Sequence, residues 1–219
     1  GSGAWTSMEK AFTGCTNLEV SATDVPDLTN VTSTNGMFGN CIKLIGPSNI
    51  GSWNVGSVTD MGYMFAGCNL FDQDINGWDV RAVNNMRGMF FGATSFNQPL
   101  NSWQVGAVNT MEEMFSNATM FNGNIASWDV RNVITFRRMF FNAPRFNQNI
   151  GGWQPTGALS TSQMFYGTTD FNANIGGWNV LTVTDMSGMF YGASHFNQDI
   201  SNWSVGAVTD MNSMFRGAV

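Results

Sequence analysis

The phrase Trp-Asp-Val-Arg occurs twice, at Trp78 and Trp128, and sets Asp79 two residues from Arg81 and Asp129 two residues from Arg131. In an extended backbone, residues i and i+2 project from the same face. Each phrase therefore offers a carboxylate beside a guanidinium, a pairing suited to polar ligands through charge-assisted hydrogen bonds. The plainer reading is a solvated face whose exposed ion pairs contribute little stability. Other reactive side chains point to less. The cysteines Cys15, Cys41 and Cys68 share one repeat position that elsewhere holds Ala93, Ala118, Ala143, Ala193 and Ala218, with Thr168 the exception. A small inward slot explains them all, and no Cys-x-x-Cys or His pair accompanies them to hold a metal. His195 is the only histidine and has no second histidine or evident nucleophile to form a dyad. Asp72 and Asp74 lack the further oxygen ligands of a calcium loop. The expectation is a non-enzymatic chain with no metal and no cofactor.

What must position the Asp–Arg pairs is a repeat. Trp53, Trp78, Trp103, Trp128, Trp153, Trp178 and Trp203 follow one another at intervals of 25 residues, and a fixed period of this length marks stacked units. With each tryptophan as position zero, apolar residues recur at offsets 2, 5, 8, 11, 12, 15, 18 and 22; from Trp178 these are Val180, Val183, Met186, Met189, Phe190, Ala193, Phe196 and Ile200. Upstream the pattern weakens: Pro26 holds the tryptophan slot of a 27-residue unit, and Trp5 falls in a valine slot. The reading is one array of about eight and a half coils over 4–219, with irregular coils at 4–25 and 26–52, regular coils over 53–202 and a half coil at 203–219. Residues 1–3, Gly-Ser-Gly, read as an expression scar, and the whole as a piece of a longer protein.

Offsets 8, 11, 12 and 15 are spaced like one face of a short helix. Thr184-Asp185 and Thr209-Asp210 stand where caps would be, and offset 14 is Gly or Asn in every unit, the residue types that end a helix in the left-handed conformation. The alternation of Trp-x-Val predicts a brief strand pairing with the next coil. The predicted fold is thus an α/β repeat solenoid, leucine-rich-repeat-like, with one short parallel strand and one short helix per 25-residue coil. Offset 19, Asp72, Asn97, Asn122, Asn147, Asn172 and Asn197, predicts a buried amide column bonding its own and adjacent coils. Pro155, in a strand slot, predicts a local irregularity in the sheet.

The phrase Met-Phe-Tyr-Gly-Ala-Ser-His-Phe-Asn-Gln-Asp-Ile-Ser-Asn-Trp-Ser-Val from Met189 resembles the repeat of the BspA-like leucine-rich-repeat surface proteins, also described as a Mycoplasma-lipoprotein-type repeat of unknown function. That resemblance runs from Trp5 to Val219. It implies a cell-surface or secreted protein used in adhesion and recognition, and brings no catalytic residues with it.

A net charge of −6 with only 11% charged residues supplies no basic field for nucleic acid or anionic lipid. No apolar run is long enough to insert in a membrane. The expected ligand surface is the concave face of the coils: Asn54, Asp79, Gln104, Asp129, Gln154 and Asn179 between Trp and Val, with Arg81 and Arg131 beside them. A second candidate is offset 13, with Phe91, Phe141, Tyr166 and Tyr191, whose rings could stack on sugars or cover the seam between coils. Two functions fit: an extracellular or cell-surface recognition module binding a protein or glycan, or a structural spacer presenting another domain.

Overall fold

The computed structural model describes residues 5–218; the Gly-Ser-Gly opening lies outside them. A single series of parallel one-residue bridges runs Ser7, Ser33, Asp60, Asn85, Thr110, Thr135, Ser160, Asp185 and Asp210, one residue from each coil. Every coil thus lies against the next in register. The apolar offsets read from sequence are the core: Val80, Val83, Met86, Met89, Phe90, Ala93, Phe96 and Leu100 are each 0–1% exposed, with Trp78 at 3%. Within a coil the offset-12 and offset-18 rings lie 3.8–4.0 Å apart, as in Phe115–Phe121 and Phe90–Phe96. Between coils each stacks on its counterpart, as in Phe90–Phe115 at 5.5 Å and Phe96–Phe121 at 5.9 Å.

The predicted helix is absent, and with it the leucine-rich-repeat-like α/β solenoid. Among the described residues the one helical element is a three-residue 3₁₀ turn at Ile50–Ser52. Offsets 8–15 instead form consecutive reverse turns. Met64 N–H donates to Met61 C=O and Cys68 N–H to Phe65 C=O, each closing a four-residue turn. The third residue of each turn has positive φ, 53° at Tyr63 and 69° at Gly67, as a type II turn requires. Left-handed residues four apart interrupt any helix, so the intermediate amides turn outward to the next coil. Met61, Tyr63, Phe65 and Gly67 donate to the carbonyls of Asn85, Arg87, Met89 and Phe91 at 2.6–3.0 Å. Spacing of i, i+3, i+4, i+7 is met as well by two such turns as by a helix, which is why periodicity misled. Gly or Asn at offset 14 was the correct sign of positive φ. Its twin at offset 10 is masked because Glu113, Arg138, Gln163 and Ser213 occupy it with φ of 56–59°.

The predicted strand is also absent. Among the described residues no inter-coil bridge forms at Trp-x-Val, and the aromatic spacing shows why. Successive tryptophans from Trp103 to Trp203 lie 6.1–6.4 Å apart, wider than the 4.7–4.9 Å of neighbouring strands. On the turn edge, Phe141–Tyr166 and Tyr166–Tyr191 lie 4.7 and 4.4 Å apart. The coils fan open toward tryptophan, and among the described residues the continuous backbone ladder runs along the narrow side. The indole N–H ties the wide side instead: Trp78, Trp103, Trp128, Trp153, Trp178 and Trp203 each donate Nε1–H to the carbonyl 28 residues back. With no ladder there, Pro155 removes nothing. It is buried, its carbonyl closes the usual turn with Ala158 N–H, and the Thr135–Ser160 bridge continues past it.

The offset-19 column bonds as expected, but on the surface. Asn122 N–H meets Asn97 Oδ1 at 2.7 Å, Asn147 N–H meets Asn122 Oδ1 at 2.9 Å, and the residues are exposed. Offset 7 does the work assigned to caps: Asp60, Asp185 and Asp210 accept the N–H two residues on, opening the turns.

Candidate functional site

The Asp–Arg pairs are built by a local turn. After each ladder tryptophan but Trp153, where Ala158 and Pro155 make the same bond, the second valine N–H donates to the first valine C=O, as Val83 does to Val80. The offset-1 side chain braces that turn: Asn54, Asp79, Asp129 and Asn179 accept the N–H of Gly56, Arg81, Arg131 and Leu181. This Asx bracing explains why Asn and Asp recur at this offset. It also holds each arginine over its own aspartate. Arg81 Nε–H donates to Asp79 Oδ1 at 2.8 Å and Nη2–H to Oδ2 at 2.6 Å, and the Arg131–Asp129 pair repeats both distances. The Arg81 hydrogen bonds pull Asp79 down to about 2, and Arg131 lowers Asp129 in the same way. Both arginines are correspondingly raised.

Between the two pairs, the coil of Trp103 carries Gln104 and Gly106. Gly106 has no side chain to answer Arg81 and Arg131, so a groove of about 390 Å³ opens over it, walled by Arg81, Ser102, Gln104, Ser127 and Asp129. A second groove of about 280 Å³ lies on the other side of Arg81, against Asn76 and Asp79. Ionised groups, amides and hydroxyls line both, which suits a hydrated ligand.

Of the residues expected at the site, Asp79, Arg81, Gln104 and Asp129 come together at these grooves, and Arg131 stands over Asp129. Asn54 and Asn179 brace turns in other coils, and Gln154 reaches Gly177 C=O at 3.4 Å. The face is not a concave sheet: it holds no sheet, and it lies on the wide side of the fanned coils. The glycines that make the groove floor were missed; the alternation of Gly56, Arg81, Gly106 and Arg131 at offset 3 was the available sign.

The aromatic column closes on itself. Phe141, Tyr166 and Tyr191 stack face to face, with Arg138 5.3 Å over Phe141 and Arg216 5.6 Å over Tyr191. No ring face in that run is open to a sugar; Phe91 stands two coils away from Phe141, with Ser116 between. The same edge holds a charge network also missed in sequence. Arg87 and Arg137 flank Glu112, Arg87 and Arg138 flank Glu113, and Tyr63 Oη–H donates to Glu113. Its sign lay in the tripeptides Met-Arg-Gly, Met-Glu-Glu and Phe-Arg-Arg at one offset of successive coils. Among the described residues no group of His, Cys, Asp or Glu could hold a metal ion, and no helix is long and apolar enough to cross a membrane.

The family model described as Mycoplasma protein of unknown function, DUF285, matches residues 6–125, 74–160, 99–185 and 156–219 in overlapping spans. The chain belongs to the DUF285 family. No curated protein and no solved structure matches it. The overlapping spans follow from the 25-residue period, since each coil satisfies the same positions as the last.

Proposed function

We propose that this DUF285 array is a non-enzymatic recognition module that binds a polar protein or glycan ligand in the grooves around Arg81. The observation that carries the reading is the pair of identical Asp–Arg clamps two coils apart with a glycine-floored groove between them. A pre-paired guanidinium is held rigid at low entropic cost and still has donors to offer a carboxylate, hydroxyl or amide. The BspA-like phrase supports placing the module at the cell surface or outside the cell. The unbroken bridge series favours a second reading, a stiff spacer that presents another domain.

The test is a binding screen against glycans and extracellular-matrix proteins. It compares the parent chain with the Asp79→Asn, Asp129→Asn double variant, which keeps the oxygen bracing the turn but removes the charge. A second variant, Gly106→Leu, fills the groove floor. A ligand lost in both variants, at unchanged melting temperature, supports recognition at this groove. A ligand bound equally by all three chains sinks the assignment, and no ligand for any of them favours the spacer.

A further inference from the structure

Between the two irregular coils and the first regular one lies a cavity of about 200 Å³, lined largely by apolar side chains, among them Phe12, Pro26, Phe38 and Trp53. The repeat itself says what shape is missing. From Trp103 to Trp203 each tryptophan stacks on the next, and several lie 6.2–6.4 Å from the offset-12 phenylalanine before them, as in Phe65–Trp78 and Phe115–Trp128. The slot after Phe12 and before Trp53 holds Pro26 in place of that tryptophan. The ring that would lie between Phe12 and Trp53 is therefore absent, and both side chains face the cavity.

The polar groups are disturbed at the same place. In six later coils the tryptophan Nε1–H donates to a carbonyl three residues before the preceding slot, such as Ile50 C=O for Trp78. For Trp53 the corresponding carbonyl is that of Thr23, and Asn49 Nδ2 has taken it at 3.0 Å. Trp53 Nε1–H, in a side chain 7% exposed, and Asn49 Oδ1 are left buried in the cavity wall without partners among the described residues. An unpaired donor and acceptor here are costly, and they sit where an aromatic ring is missing.

We infer that the Pro26 slot is a binding site for a small, neutral, flat heteroaromatic molecule of the indole class. The volume is sufficient, since an apolar cavity of about 150 Å³ holds benzene. The ring stacks on Trp53 as successive tryptophans do from Trp103 to Trp203, and its N–H supplies the donor that Asn49 Oδ1 lacks. This site is separate from the Arg81 grooves and does not depend on the function proposed for them.

The test uses indole as probe and the eight tryptophan indole N–H resonances of the ¹⁵N-labelled chain as readout. Trp53→Phe, which keeps a ring and removes the N–H, identifies the Trp53 resonance. Titration should shift that resonance saturably while the Trp128 resonance stays still. N-Methylindole, which lacks the donor, should bind at least several-fold more weakly. Pro26→Trp fills the slot covalently, and Val20→Phe narrows the cavity from the first coil as a milder variant; each should weaken indole binding at least tenfold. A Trp53 resonance unmoved at millimolar indole, as when another segment of the chain fills the slot, overturns the inference. So does binding undiminished in both filled variants.

Discussion

Trp128→Ala probes the array at its middle. The indole is 3% exposed, stacks on Trp103 at 6.3 Å and Trp153 at 6.1 Å, and lies 6.4 Å from Phe115. Truncation removes that burial and leaves a cavity bounded by two coils, which costs about 3–5 kcal/mol. It also strips Leu100 C=O of the indole N–H that meets it at 2.9 Å, adding about 1 kcal/mol for a buried acceptor left unpaired. The expected total is about 4–6 kcal/mol. Asp129→Ala, one residue on, loses an exposed ion pair and a turn brace, together worth about 1 kcal/mol or less. Trp203→Ala should fall between them, because Trp203 is stacked on one tryptophan neighbour only, Trp178. Urea denaturation followed by near-ultraviolet circular dichroism measures all three, with midpoint and slope fitted separately because stacked repeats can unfold in parts. Equal destabilisation by Trp128→Ala and Asp129→Ala would refute the inside–outside assignment. A Trp203→Ala loss as large as that of Trp128→Ala would refute stacking as its source.

Thr161 occupies a methionine slot, fully buried, and its Oγ1 finds no partner among the described residues. Thr161→Val should therefore raise stability by about 1 kcal/mol in thermal melts. Gly88 has φ of 57° and a Cβ there would collide with the Tyr63 ring, so Gly88→Ala should lower the melting temperature. Ser213 has φ of 56° at the same offset and is exposed; Ser213→Gly should gain about 1 kcal/mol by relieving left-handed strain. Because Arg81 depresses Asp79 to about 2, the pair's contribution is complete above the ordinary aspartate value near 3.9 and fades as pH falls toward 2. A carbon-13 titration of Asp79 should show that low midpoint, and Arg81→Gln should return it toward the ordinary value. Burial raises the Cys68 thiol to about 12, and its Sγ–H donates to Phe38 C=O, whereas Cys15 is exposed. A maleimide should label Cys15 in the native chain at pH 8 and reach Cys68 only in urea.

The core was legible because stacking demands the same inward residue in every coil: each offset from Trp to Ile at 22 was read correctly. The backbone was not, because apolar spacing records which side chains face inward and says little about where N–H groups go. Phe65 sits at a helix-like offset, yet its amide donates to Met89 of the next coil. Only positive φ at both offsets 10 and 14 separates turns from helix, and residues such as Glu113 and Arg138 hide the first. At the candidate site, the Asp–Arg pairing was visible in Trp-Asp-Val-Arg. The groove was not, because it depends on what the intervening coil lacks at Gly106. The face was misplaced as concave because coil spacing on each edge depends on ladder and ring geometry that no single repeat discloses.

Each coil commits its turn amides to the next coil. Scalar couplings across hydrogen bonds, measured on the deuterated, ¹³C,¹⁵N-labelled chain, test it directly. Coupling is expected from Phe115 N to the Met139 carbonyl carbon and from Phe90 N to that of Met114, matching N···O distances of 2.8 and 2.9 Å. Couplings from Phe115 N to the Met111 carbonyl and from Phe90 N to that of Met86, the pattern of a helix, would contradict it.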